Sequence, residues 1–235
     1  KNNSILKQYN DKLKIGDITL LGLISVGGQG LATGNNGDFI GVLNNTKESE
    51  RVKNIRAEKY FDFINKNKKS NLYKKFQKFS DLSEFKNNFF TLDEKEIRNL
   101  FSNAKKEFGR DIFGQGFLYK IIQKNEVANI KQISQKDKED GITDNNKIYV
   151  KYDKGDKDGN KWIGKTPFFI KWDKKTVNWF ISNSGKPGKG MPVIRNREFY
   201  FTKGFCWSNI LNPNSKYIKC KMNNESVYDV ASMTL

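Results

Sequence analysis

Through the middle of this chain apolar residues recur at helical spacing, while on both sides they gather into short β-type runs. Ala57, Tyr60, Phe61 and Ile64 fall at i, i+3, i+4 and i+7, and Ile97, Leu100, Phe101, Ala104 and Phe108 repeat the pattern. Each set puts one apolar stripe on a single helix face, and that stripe needs a core to cover it. The second helix has a capping-box start, Thr91 with Glu94, and a stop at Gly109. Upstream, residues 15–26 read as a strand pair or one long strand, and residues 39–43 as a second short strand. Gly27-Gly28-Gln29-Gly30 and Thr33-Gly34-Asn35-Asn36-Gly37-Asp38 lie between them and predict a tight, irregular loop, because Gly and Asn tolerate positive φ. Downstream, Ile148-Tyr149-Val150, Phe168-Phe169-Ile170, Phe199-Tyr200-Phe201, residues 217–221 and residues 227–230 read as strands. The expected fold is α+β. A mixed, mostly antiparallel β-sheet domain spans 1–45 and 111–235, with a helical insertion at 46–110.

Several chemistries are excluded by residue type. The chain of 235 residues has no histidine and only two cysteines, Cys206 and Cys220. Two thiols make neither a disulfide framework nor a four-ligand zinc site. Without histidine, the commonest general base and the Ser–His and Cys–His nucleophile pairs are gone. No apolar run approaches the roughly 18 residues that span a bilayer, and the N-terminus lacks a signal-peptide pattern. The first residue is Lys rather than Met, as expected of a piece cut from a longer chain. A soluble, cytoplasmic protein with no membrane partner is the expectation.

Charge points to a partner. Lys and Arg number 43 against 26 Asp and Glu, a net of +17. The 28 asparagines leave room for a compositional bias behind the lysines, so distribution matters more than the total. Residues 1–45 carry a net +1, residues 46–145 +6 and residues 146–235 +10. An excess concentrated towards the C-terminus favours a polyanion, and nucleic acid is the usual one. Within 183–207, Lys186, Lys189, Arg195, Arg197 and Lys203 occur with one acidic residue, Glu198, among Gly, Pro and aromatics. Such residues neutralise phosphates, and Arg can also pair bidentately with a guanine edge. The alternative is a solvated basic loop.

Other motifs fall short. Gly28-Gln29-Gly30 and Gly114-Gln115-Gly116 continue into neither a dinucleotide fingerprint nor a P-loop, and read as turn glycines. The Asp-rich turn 153–160 departs from a calcium loop, with Gly164 at the twelfth position and lysines between the carboxylates. A metal-dependent nuclease can be assembled on paper from Asp153 or Asp156 with Asp173 and Lys175.

Three segments together resemble a known family. Gly30 to Phe39 resembles the G-L-x-T-G-x-N-x-x-F signature that opens the recognition region of adenine-specific DNA methyltransferases of type II and type IIG restriction systems, and of related phage-defence systems. Tyr152-Asp153-Lys154-Gly155 through Trp162, then Thr166 to Trp172, resembles their Y-D-K-G and T-P-[FY]-[FY]-I-x-W stretches. Asn183-Ser184-Gly185-Lys186, Arg195-Asn196, Phe199 to Ser208 and Ser226 to Met233 are similar to the elements that follow, in the same order. Residues 46–145 have no matching motif. The resemblance implies a target-recognition domain that reads double-stranded DNA beside a catalytic methyltransferase domain of the same protein. That domain would bind S-adenosylmethionine, and Mg2+ if the parent also cleaves; this segment itself carries no cofactor. The Asn-Pro-Pro-Tyr pocket that takes a flipped adenine is absent, since the prolines are Pro167, Pro187, Pro192 and Pro213. On this reading DNA meets Gly30, Thr33, Gly34 and Asn35 in the loop, and Lys186, Lys189, Arg195, Arg197, Lys203 and Trp207 downstream. The two arginines sit in a loop just before a strand holding Phe199 and Phe201, one of them reaching a guanine edge while Lys203 holds phosphate. A general nucleic-acid-binding or RNA-binding module is the competing expectation.

Overall fold

A computed structural model describes residues 28–74, 76, 79–113, 118–144, 146–154, 166–208, 220–229 and 232–234. The strands expected at 15–26 and in 217–219, the glycine triplet 114–116 and most of the turn 153–160 lie outside them. So do the side chains of Cys206, Trp207 and Cys220. The chain runs β1 (Gly28–Gln29), α1 (Asn36–Phe39), β2 (Ile40–Leu43), α2 (Lys47–Lys66), α3 (Asn71–Lys74), α4 (Leu82–Phe89) and α5 (Glu94–Phe108). It continues with β3 (Lys120–Ile122), α6 (Gln135–Asp140), β4 (Tyr149–Asp153), β5 (Phe168–Lys171) and α7 (Lys174–Asn183). It closes with β6 (Lys203–Ser208), β7 (Cys220–Asn224), β8 (Val227–Tyr228) and β9 (Ser232–Thr234). The fold is α+β.

Two sheets carry the β-rich part. One has the order β3-β2-β5-β4-β8 and the other β1-β9-β6-β7. The pairs β2–β3 and β4–β8 are parallel, and the remaining named pairs are antiparallel. Parallel neighbours need a long crossover between them. Between β2 and β3 that crossover is the helical segment, which gives the insertion a topological reason. Strand alternation then sorts the five-stranded sheet into two faces. Ile40, Val42, Val150, Tyr152 and Ile170 join Trp172, Val177 and Phe180 in one core, while Ile122, Tyr149 and Phe169 pack on the other face.

The helices pack around a second core of rings. Tyr60, Phe63, Phe76, Phe85, Phe89 and Phe101 cluster with Ala57, Ile64 and Ala104, and Phe85 lies 5.2 to 6.0 Å from four neighbouring ring centroids. The stripe residues fall inside α2 and α5 as their spacing predicts, and Gly109 ends α5 at φ 96°. One cap differs. Thr91 with Glu94 does not start α5; Asp93 does, its carboxylate accepting the Glu96 N–H at 2.7 Å while Glu96 accepts from the Asp93 N–H. The capping pattern occurs twice in overlapping frames, and the carboxylate at Asp93 also suits the positive end of the helix dipole. Thr91 instead donates to the Asn88 carbonyl, and Glu94 pairs with the buried Arg56 at 2.7 Å.

A second difference concerns Phe199-Tyr200-Phe201, which is not a strand. Asn196 turns the chain in the left-handed region, Arg197–Phe199 form a 3-10 turn, and Phe201 sits at φ 62°. Tyr200 and Phe201 are both buried, with rings 6.1 and 5.5 Å from Trp172. Successive residues of a strand point to opposite faces, so two adjacent rings meeting one tryptophan need this irregular backbone. Phe39 likewise ends α1 rather than starting β2, stacked 5.0 Å from Trp179. No helix among the described residues is long and apolar enough to cross a membrane.

Candidate nucleic-acid interface

The segments marked in the sequence meet at one edge of the β-rich part. Leu31 N–H donates to the Tyr228 carbonyl at 2.8 Å, and the Tyr152 hydroxyl donates to the Leu31 carbonyl at 2.8 Å. Ala32 and Val193 exchange backbone hydrogen bonds of 2.9 Å each way. Thus 28–38, 184–197 and 226–229, far apart in the chain, form a single layer held by buried backbone pairing.

Two glycines of the loop are sterically required. A Cβ on Gly30 would lie 1.9 Å from the Tyr228 carbonyl oxygen, so this buried residue serves packing. Gly34 has φ +67°, and a Cβ there would lie 2.4 Å from the Gly190 carbonyl oxygen. Both the left-handed backbone and the close approach exclude larger residues. Between these points Thr33 is buried and its hydroxyl donates to Asn36 Oδ1 at 2.6 Å, while the Asn35 amide donates to Asp38.

The loop forms one wall of a cleft of about 660 Å³. Lys105, Arg110 and Lys189 also line it, with Asp111 and Asp229. A second cleft of about 430 Å³ adjoins it past Asn35 and Gly37, along the Arg98, Ser102, Lys105 and Lys106 face of α5. Arg98 clamps the loop by donating to the Gly37 carbonyl at 2.8 Å and pairing with Asp38 at 3.0 Å. Arg110 donates to the Gly34 carbonyl at 2.8 Å. Lys105 is half-buried and has no ion pair among the described residues. Burial pushes its pKa below the ordinary lysine value; Asp38 opposes that shift, and the nearby Arg98 and Arg110 add to it.

Thr33, Gly34, Asn35 and Lys189 therefore share one cleft. Lys189 is exposed, its Nζ 3.1 Å from Asp111, a surface pair that water and salt leave easily exchanged. Arg195 is exposed and donates to the Gln29 side chain, beside Asn196, whose amide donates to the Gln29 carbonyl at 2.8 Å. Arg197 is half-buried, and one terminal nitrogen is enclosed without a hydrogen-bond partner among the described residues. Lys186 and Lys203 are exposed and line neither cleft. The Trp207 backbone lies in β6 opposite Cys220 and Met233. Sequence reasoning missed Arg98, Lys105, Lys106 and Arg110. Their signal was present, since Arg98, Ser102, Lys105 and Lys106 recur at i, i+4, i+7 and i+8 along the flank of the apolar stripe.

The nuclease grouping through Asp153 does not assemble, and Asp156 lies outside the described residues. The register pairs Tyr149 with Lys171 and Lys151 with Phe169, so position 173 lies opposite position 147. That is six residues from Asp153, roughly 20 Å along a strand rising about 3.3 Å per residue. Asp173 caps α7 by accepting the Thr176 N–H at 2.6 Å and pairs with Lys171 at 2.9 Å. Asp153 is buried and accepts from the Ser226 hydroxyl at 3.1 Å. One metal cannot bridge carboxylates so placed. Compared with known proteins, the chain matches no family model and no curated protein.

Proposed function

We propose that the chain recognises duplex DNA and directs it to an adenine-specific methyltransferase domain of the same protein that lies outside these residues. The observation that carries this reading is the convergence of 28–38, 184–197 and 226–229 beside a cleft lined by Lys105, Arg110 and Lys189. These segments include several of the stretches on which the family resemblance rests. The chemistry suits the task. Exposed Arg195 and the Asn35 and Asn36 amides offer groups that read base edges, while Lys and Arg supply phosphate contacts. The reading assigns no residue of this chain to S-adenosylmethionine or to Mg2+; methyl transfer, and cleavage if it occurs, belong to other domains.

Fluorescence anisotropy with a labelled non-cognate duplex tests the proposal. The expected Kd at physiological salt is on the order of 10⁻⁴ to 10⁻⁶ M, with log K falling steeply against log salt. A flat salt plot, or displacement of the duplex by equimolar single-stranded RNA but not by unlabelled duplex, would contradict it.

A further inference from the structure

We infer that the outer face of α5 is the second wall of the DNA site and that Lys105 holds a backbone phosphate there. This deepens the duplex-DNA reading and rests on it. The helical segment matched no motif, yet its cations sit where the loop is open. Arg98 and Arg110 are spent on the carbonyls of Gly37 and Gly34, and those bonds fix the loop against the helix. Lys189 has Asp111. Lys105 lines both clefts and, among the described residues, has no carboxylate in ion-pair range.

A half-buried ammonium with no direct ion pair has lost hydration that the more distant Asp38 and Asp111 only partly offset. An incoming phosphodiester oxygen restores that interaction, and in a partly desolvated cleft the restored attraction exceeds its value in open water. The lowered pKa of Lys105 has the same origin, desolvation among neighbouring cations. Geometry favours a polymer over a single ion. The two clefts adjoin past Asn35 and Gly37, so the groove along α5 is longer than a single ion needs. Lys106 lines it too. The cations around the two clefts, Arg98, Lys105, Lys106, Arg110 and Lys189, outnumber Asp38, Asp111 and Asp229.

The test uses the full chain with the same non-cognate duplex, comparing Lys105→Met, Lys105→Arg and Lys136→Ala with the wild type. Lys105→Met keeps the aliphatic stem and removes the charge; Lys136 lines neither cleft. Lys105→Met is expected to weaken binding about tenfold at low salt and to reduce the salt slope by about one contact. Lys105→Arg should hold the slope, and Lys136→Ala should leave affinity within about twofold. An unchanged slope for a folded Lys105→Met, checked by its melting temperature, overturns the phosphate assignment while wild-type binding preserves the duplex-DNA reading. Loss of binding in the wild type itself would sink both.

Discussion

The two cores of this molecule are built from different rings. In the helical core the large side chains are almost all phenylalanine, and they meet each other edge-on, tilted or stacked with centroids 4.5 to 6.5 Å apart. In the β-rich core Tyr and Trp join Phe180 and Phe201, and several of them carry a polar handle that ties down a distant segment. Tyr152 holds the Leu31 carbonyl, Trp172 donates to the Lys138 carbonyl at 3.0 Å, and the Tyr119 hydroxyl accepts from Lys154 at 3.0 Å. A phenylalanine cluster supplies burial without direction. Buried tyrosine and tryptophan supply direction as well, because an unmet hydroxyl or indole N–H is costly. The first core holds a wall in place; the second sets the shape of the loop.

That contrast is exposed most strongly by Phe85→Ala. Phe85 is fully buried among four rings, so urea denaturation should show a loss of about 3–5 kcal/mol. The fraction that remains folded should bind DNA as the wild type does. A loss below about 1 kcal/mol would mean that the ring cluster is not a core. Tyr152→Phe should cost about 1 kcal/mol, since it removes the hydroxyl's hydrogen bond to the Leu31 carbonyl. Unlike Phe85→Ala, it should also speed hydrogen exchange in residues 31–37 and weaken DNA binding by the folded protein. Equal effects of the two variants on binding would erase the distinction between the cores.

Smaller effects come from single polar groups. Asp173→Ala removes the α7 cap and should cost about 1 kcal/mol at neutral pH. Burial alone would raise the Asp173 pKa, but hydrogen bonds from Thr176 and Lys171 outweigh it and hold the carboxyl below its ordinary value. Its stabilisation is thus complete above about pH 4, near the unfolded value, and fades as pH falls through the lower folded value. The gap between wild type and Asp173→Ala should close on acidification below pH 4; a gap that widens would refute the assignment. Tyr60→Phe should be the mildest. Burial pushes the Tyr60 phenol pKa up, and its hydroxyl has no partner among the described residues. Removing it should leave stability within about 0.5 kcal/mol or raise it. A loss above 1 kcal/mol in denaturation would show that the hydroxyl is satisfied in solution.

How much of this was legible depended on whether the signal was local. The stripes at Ala57, Tyr60 and Ile64 and at Ile97, Phe101 and Ala104 gave their helices directly, because helical period is a property of a few turns. Phe108, at the end of its stripe, packs on Phe63 at 5.2 Å and stays partly exposed. The α5 cap was read two residues early, since Thr91-x-x-Glu94 and Asp93-x-x-Glu96 have the same form. Phe199-Tyr200-Phe201 has β-type composition, and only Trp172 and Tyr228, brought in by tertiary packing, explain its turn. The Gly-rich loop was visible from its own residues. Its basic wall was not, because Arg98 meets Gly37 across 61 residues of sequence and Arg110 meets Gly34 across 76. On a helix read by itself, those cations belong to the solvated face.

On the proposed reading, the loop and α5 together form the DNA-binding surface while the phenylalanine core behind them takes no part. Hydrogen–deuterium exchange of the full chain, with and without saturating duplex, tests it directly. Slowed exchange is expected in residues 31–37, 98–110 and 185–197, with no change in the interior of α2 and α4. Bound DNA that leaves those three stretches unprotected, or that protects the α2 and α4 interior equally, would contradict the account.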